Sequence, residues 1–354
     1  PVSQGNLSSP TEAPSSAGGP FLEACRGGTP SHIPVWLMRQ AGRYMSEYRE
    51  IRSKVSFMEL CHTPELACEV TVHAADVLNT DAAILFADIL LILELFGVKV
   101  SLVSGTGPVI EPPLRDPAEI DKLPEADLDG LSAIYEAVRL IKRAMPKERA
   151  LIGFAGAPFT VASYLIEGGP SKNFENTKRI MFGAPEKFKR LMDLIGRATG
   201  EYLKRQVEAG ADAVQLFDSW VGNLSEADYR EFVLPASRAA LSAVPSHIPR
   251  IHFGKGTGHL LLPMREAGAT IMGVDEMTHL GDARKLLGET PVQGNLDPIV
   301  LLCDRATIKK RVLPILKQGG PTGYIFNLGH GIVPSTPVDN VKYLVELVHQ
   351  ETAR

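Results

Sequence analysis

One pattern constrains this chain more than any other: a helix end, a glycine, a short apolar run, then an acid. Glu208-Ala209-Gly210-Ala211-Asp212-Ala213-Val214 recurs as Glu266-Ala267-Gly268-Ala269-Thr270-Ile271-Met272, and the runs that follow reach Asp218 and Asp275. Glycine supplies the left-handed conformation that closes a helix. A short, continuously apolar run reads as a strand buried on both faces. Repeated use of one helix-to-strand connection is the grammar of a wound α/β fold. The same grammar continues at 82–87 before Asp88, 150–155 before Gly156, 250–253 before Gly254, 291–293 before Gly294 and 324–327 before Leu328. With the run at 34–38 this makes roughly eight strands separated by helical patterns, the number a single (β/α)8 TIM barrel needs. An open doubly wound sheet is the alternative, but no GxGxxG follows the first strand.

The helices announce themselves similarly. Thr63-Pro64-Glu65 places a capping residue, a proline and an acid in the order that starts a helix. Leu66, Val70, Ala74 and Val77 form its apolar stripe, and Asn79-Thr80-Asp81 ends it. Leu131, Ile134, Val138 and Ile141 mark a second helix, and Pro185 opens a long one to Glu208. Residues 111–129, rich in proline and acids, read as a surface excursion. Residues 1–20, made largely of Ser, Pro, Gly and Thr, are expected to be a disordered leader, leaving 21–354 as one catalytic barrel domain. The absence of an initiating Met implies processing or trimming. A Ser-rich, acid-poor leader fits the remnant of a transit peptide, so plastid stroma is the expected location and cytoplasm the alternative.

A net charge of -4 points to neither nucleic acid nor a membrane surface. A polyanionic ligand would be repelled overall, so its cleft would need locally concentrated arginine. Cys25, Cys61, Cys68 and Cys303 are scattered without a paired spacing, which suits a reducing compartment and argues against a zinc ribbon. The most apolar stretch, 82–100, carries Asp88 and Glu94 and makes a poor membrane span. P-loop, G-x-S-x-G and H-E-x-x-H motifs are missing. Lys255, flanked by glycines, reads as part of a mobile loop rather than a desolvated Schiff-base lysine.

In such barrels the chemistry sits in the loops after the strands. The run at 34–38 ends in Arg39 and Arg43, with Gln40 between them. If the chain turns helical there, the two guanidiniums share a face as i and i+4 neighbours and form a fork pair for carboxylates or phosphates. Asp88 stands between two strongly apolar stretches, where a carboxylate needs donors or an ion pair. Other polar residues at strand ends are Asp218, Ser219, Lys255, Asp275, Asn295, Asp297, Asn327 and His330, with Tyr164 a little beyond its strand. Each has an ordinary alternative. Asp88, Asp218 and Asp275 can cap the next helix, Asn295 and Asp297 can make turns, the arginines can be solvated, and His330 can be a loop residue.

The segments PVWLMRQAGRY, AAILFADIL, LIGFAGAPFT with Tyr164, QLFDSW with Ser219 and NLGHG with His330 together resemble the uroporphyrinogen decarboxylase family. The likeness runs from about Gly19 onward. It implies a homodimer of single (β/α)8 barrels that removes CO2 from the four acetate groups of uroporphyrinogen III without metal or organic cofactor. It also implies roles. Arg39, Gln40, the backbone of Ala41 and Gly42, and Arg43 would bind carboxylates. Asp88 would accept the pyrrole N–H groups. Tyr164, Ser219 and His330 would complete the polar contacts. The proton donor stays open among Arg39, a water held by Asp88, Tyr164 and His330. Two competing readings are a zinc-dependent corrinoid or thiol methyltransferase with the same barrel and a non-catalytic tetrapyrrole carrier. The first looks for His-x-Cys, and here Ile251-His252-Phe253-Gly254 carries Phe in the thiolate's place.

Overall fold

The computed structural model describes residues 17–354. The leader expected over 1–20 therefore lies almost wholly outside the described residues, and a helix begins at Gly19. The strands are β1 (Ala82–Ile84), β2 (Lys99–Val103), β3 (Gly107–Glu111), β4 (Ala150–Gly156), β5 (Ala213–Asp218), β6 (Arg250–Gly254), β7 (Ile271–Gly273), β8 (Val292–Gln293) and β9 (Tyr324–Ile325). Seven of them form one sheet in the order β1-β4-β5-β6-β7-β8-β9. Every pairing in it is parallel.

The chain is thus an α/β fold with a curled, seven-stranded parallel sheet, where eight strands were expected. The run at 34–36 is not a full strand. It forms a single parallel bridge, Val35 with Phe326. Even so, it bonds to both ends of the sheet: Phe326 N donates to Pro34 O at 2.9 Å, and Asp81 N, just before β1, donates to Val35 O at 2.8 Å. Proline at 34 removes one ladder donor, which keeps the pairing short.

The sheet separates two apolar sets. One cluster gathers alternate strand residues, among them Trp36, Met38, Ala82, Ile152, Ala213, Ile251, Phe253, Ile271 and Ile325, with Phe21, Leu22 and Cys25 of helix Gly19–Cys25. The period of two puts these on one face of the sheet, and the helix closes the end where the strands begin. Their neighbours in sequence, such as Val35, Leu37, Leu151 and Val214, join the larger cluster with the outer helices. Helix Ser132–Ala144 shows why those helices form. Its stripe of Ile134, Val138 and Ile141 is fully buried, and each such side chain contributes about 1.5–3 kcal/mol by leaving water. A charge at Val138 would break the packing.

Helix Pro64–Leu78 starts and stops at the expected residues, with Pro64 first and Asn79 left-handed after its end. The Thr63 hydroxyl, however, donates back to Glu59 O at 2.6 Å instead of capping. Gly210 and Gly268 both take positive φ where their helices give way to β5 and β7. The expected strand over 82–87 pairs only to Ile84, and a 3-10 helix, Leu91–Phe96, follows Asp88. The β2–β3 hairpin was not foreseen, although Ser104-Gly105-Thr106-Gly107 between apolar runs is a hairpin signal. No helix among the described residues is long and apolar enough to cross a membrane.

Candidate active site

The segment after Met38 is fixed by two buried amides. Asn327 Oδ1 accepts from Met38 N at 3.1 Å and Leu328 N at 2.7 Å. Gln40 Oε1 accepts from Leu37 N at 3.0 Å, and its Nε2 donates to Ala82 O at 3.2 Å. The Tyr44 hydroxyl donates to Gln40 O at 2.5 Å. Gln40 therefore spends its side chain on the scaffold. Between these anchors Arg39 is left-handed, with φ 61°, a conformation that costs on the order of 1 kcal/mol and persists only where the surroundings impose it.

This overturns one expectation. Arg39 and Arg43 are not i and i+4 neighbours on a helix, because residues 39–45 are turns and the next helix is Ser46–Lys54. The buried amides hold the backbone out of helical geometry. Both arginines are exposed, and among the described residues no carboxylate lies within ion-pair reach of either. The amide N–H groups of Ala41 and Gly42 are likewise without an acceptor among the described residues.

Asp88 follows β1 on the same side. Its Oδ1 accepts from Leu90 N at 2.7 Å, so it does cap the turn that leads into the 3-10 helix. Its second oxygen meets no donor among the described residues. Burial raises its pKa above the usual carboxylate range, while the Leu90 N–H and the charge of Arg39 oppose that rise. Some of its surface stays open to solvent although protein crowds it on all sides.

Tyr164 lies on helix Pro158–Glu167, which follows β4. Burial, and then the negative charge of Asp88, push its hydroxyl up to about 12, with Arg39 acting against them. Its ring stacks on Trp220 with centroids 3.8 Å apart. Trp220 follows Ser219, which is partly exposed at the end of β5. Asp218 does not cap a helix. It is fully buried, accepting from Thr160 Oγ1 at 2.8 Å and facing His252 Nε2 at 3.2 Å. Trp220 N donates to the same Thr160 oxygen at 3.3 Å, so this network sets the turn that carries Ser219 and Trp220.

The loops after β6, β7, β8 and β9 lie side by side, and those after β6, β7 and β8 are bonded to one another. Asp275 accepts from Gly256 N at 2.6 Å and Met277 N at 3.2 Å. Asn295 Nδ2 donates to Asp275 O at 2.8 Å. Asp297 caps a 3-10 turn through Ile299 N at 2.9 Å. Lys255 pairs with Glu276 and lies 4.0 Å from Asp275, so it is pinned, not mobile as expected. Gly329 is pressed against Glu276: a β-carbon there would fall 2.3 Å from Glu276 N. His330 follows. Burial, with the positive charges of Arg39 and Lys255, lowers its pKa to about 4, so its imidazole is neutral near neutral pH.

Arg39, Asp88, Tyr164, His330 and Lys255 thus converge from five segments at the C-terminal ends of the strands. Sequence reasoning missed Trp220 as the stacking partner of Tyr164, and it missed Arg52. The Arg52 guanidinium lies 5.5 Å over the Phe57 ring, and its Nε is buried without a partner. Only the aromatic after Ser219 hinted at the first, and a helical arginine gives no signal of the second. A cavity of about 730 Å³ opens at the other end of the sheet, beside Pro249, Thr270, Pro291 and Gly323. It lies away from the polar convergence, so volume does not locate the chemistry here.

The chain matches the family model described as uroporphyrinogen decarboxylase over residues 18–351. It is 50% identical to the uroporphyrinogen decarboxylase of Thermus thermophilus over 94% of this chain and 98% of that protein. It is 51% identical to that of Sorangium cellulosum over 93% and 95%. Among solved structures, a methyltransferase from Methanosarcina mazei superposes with a TM-score of 0.80 at 20% identity, covering 94% of this chain and 97% of that one. That likeness is one of fold.

Proposed function

This chain belongs to the uroporphyrinogen decarboxylase family, and from that premise we propose how its own residues carry out the reaction. The enzyme is a carboxy-lyase of porphyrin biosynthesis that removes CO2 from the acetate side chains of uroporphyrinogen III. Direct loss of CO2 from a pyrrole acetate would leave an unstabilised carbanion. Protonation of the adjacent ring carbon makes the ring a cation. The electron pair of the breaking C–C bond then flows into that cation as CO2 departs, and a second proton delivered to the exocyclic carbon completes a methyl group. The ring carbon gives back the first proton to restore the aromatic pyrrole, so that one proton is consumed for each CO2 released. The substrate supplies the electron sink that a cofactor usually supplies.

The observation that carries this reading is Asp88. Its carboxylate, with one oxygen unpaired in a crowded and weakly polar setting, lies near enough to Arg39 and Tyr164 for their charges to act on one another. A fixed negative charge stabilises a transient ring cation more than the neutral ring, which is what catalysis requires. Arg39, Arg43 and the N–H groups of Ala41 and Gly42 bind substrate carboxylates, while Gln40 holds their loop in shape. Ser219, beside the Tyr164–Trp220 stack, is a further polar contact. For the proton, His330 is a poor reservoir because it is neutral near pH 7, and Arg39 is poor because guanidinium holds its protons. That favours a water bound at Asp88, with Tyr164 the alternative.

We read the segment at 34–38 as the eighth strand of a closed (β/α)8 barrel, supported by its bonds to both sheet ends. The remaining expectations, one domain over 21–354 acting as a homodimer, are kept as proposals. Because the relatives named above are bacterial, cytoplasm replaces plastid stroma as the proposed location. One assay tests the function. The purified protein, incubated with reduced uroporphyrinogen III, is expected to convert the octacarboxylic ring to the tetracarboxylic one. Binding without that conversion would favour a tetrapyrrole carrier.

A further inference from the structure

At the end of the sheet opposite the cleft, Asp81 receives three groups. His32 Nε2 meets its Oδ1 at 2.7 Å. His349 Nε2 meets its Oδ2 at 2.7 Å. Val35 N donates to the same Oδ2 at 2.7 Å. The imidazoles meet edge to face with centroids 4.5 Å apart. One ligand atom from each of the three side chains lies within 4.8 Å of the others, the one such grouping among the described residues. The side chains of His32, Asp81 and His349 are 24%, 10% and 20% exposed, which leaves an entry path while fixing each rotamer.

We propose that His32, Asp81 and His349 form a binding site for a first-row divalent cation of the zinc type. Two imidazole nitrogens and a carboxylate oxygen are a zinc-type donor set, whereas calcium and magnesium take oxygen ligands. The three ligand atoms, within 4.8 Å of one another, need only draw in around a common centre to reach zinc bonds of about 2 Å. On binding, each ring presents its Nε2 lone pair and carries its proton on Nδ1. Ser31 Oγ, 3.4 Å from His32 Nδ1, stands where it can accept that proton, the usual arrangement behind a metal-bound imidazole.

The ligands come from three separate parts of the chain. His32 precedes the 34–36 run, Asp81 precedes β1, and His349 sits on the last helix, Val338–Thr352. That helix already ties to the same region, with Ile33 N donating to Thr352 Oγ1 at 2.9 Å and Arg354 N to Ser31 O at 2.9 Å. The ion would lock the last helix over the junction between the 34–36 run and β1. Its effect is on stability and does not touch the cleft, so the site stands or falls independently of the decarboxylase reading.

The test uses the full chain stripped of metal. Zinc sulfate is titrated by calorimetry, cobalt(II) by absorption, and thermal unfolding is followed with and without zinc. The expected result is one tight equivalent, a raised melting temperature and cobalt bands of a low-coordinate site. All three should weaken ~10-fold or more, or vanish, in His32→Gln and in His349→Gln. Glutamine keeps an N–H for Asp81, so both variants are expected to fold. Cys303→Ser, which removes the exposed thiol, is expected to bind as the parent does. No binding by the parent, or binding unchanged in both histidine variants, would overturn the proposal and leave the three residues as a purely hydrogen-bonded staple.

Discussion

The Arg39 side chain lies directly across Gly331: a β-carbon at position 331 would fall 2.5 Å from Arg39 Cδ and 2.8 Å from its Cγ. The loop after the 34–38 run and the loop after β9 are therefore shaped against each other. A methyl at 331 obstructs side-chain atoms of a flexible arginine, not backbone, so the protein yields by moving the guanidinium. Gly331→Ala is expected to cost less than about 1 kcal/mol of stability while lowering kcat/KM by ~10-fold or more. Thermal unfolding beside steady-state kinetics checks this. Unchanged kinetics would show that the position of Arg39 does not matter to turnover.

Asp88→Asn keeps the shape and the acceptor for Leu90 N but removes the charge. Losing one preorganised electrostatic group costs about 10²–10³ in kcat, and KM is expected to stay within a few-fold. Because burial holds the folded carboxyl above the usual range, activity that needs the ionised form falls as pH drops through that raised value. The acid limb of the pH–rate profile is expected to disappear in the variant. Near-normal turnover would remove Asp88 from the chemistry.

The catalytic face was legible where sequence encodes period and punctuation. Repeated helix–glycine–strand units gave the parallel sheet, and an acid in an apolar run singled out Asp88. What escaped was set by contacts distant in sequence. The left-handed turn at Arg39 is imposed by Asn327 and Gln40, 288 and 1 positions away, and nothing local contradicts the helix it replaces. Lys255 looked mobile because glycines flank it, whereas Glu276 and Asp275 on the next loop hold it. The short pairing at 34–36 escaped because apolar pattern does not count ladder bonds.

Arg39→Ala removes a cation that faces Asp88, Tyr164 and His330 together. Substrate affinity should weaken through loss of a carboxylate fork, by roughly 10-fold for one charge-assisted contact, and kcat should fall as well. The same change relieves His330 of a neighbouring positive charge, so its pKa should rise. Kinetics combined with a histidine NMR titration reads both effects, and a His330 resonance that does not move would place the guanidinium elsewhere.

Exhaustive chelation is expected to leave turnover unchanged, because the cleft groups described above are carboxylate, guanidinium, phenol and imidazole without a metal-ligand cluster. Initial rates before and after chelation decide this. Loss of activity that zinc restores equally in the parent and in His349→Gln, which lacks the proposed site at the other end of the sheet, would favour the methyltransferase reading of the barrel.

His330 should leave a mark on stability as well as on catalysis. Its pKa in the fold is about 4 against an ordinary 6.5, through burial and the charges of Arg39 and Lys255. The unfolded chain therefore takes up this proton first as pH falls. Stability rises with pH wherever the unfolded state binds more protons, so the fold loses stability from about pH 6.5 down to about 4. Above that window both states are neutral and nothing is lost. The shift corresponds to on the order of 2 kcal/mol once the partial solvation of the ring is allowed for. His330→Gln has no such proton to gain. Urea unfolding of parent and variant at neutral and mildly acidic pH should show the parent losing more stability on acidification, because groups common to both cancel in the difference. Parallel losses would mean that His330 titrates normally and that the charges of Arg39 and Lys255 do not reach it.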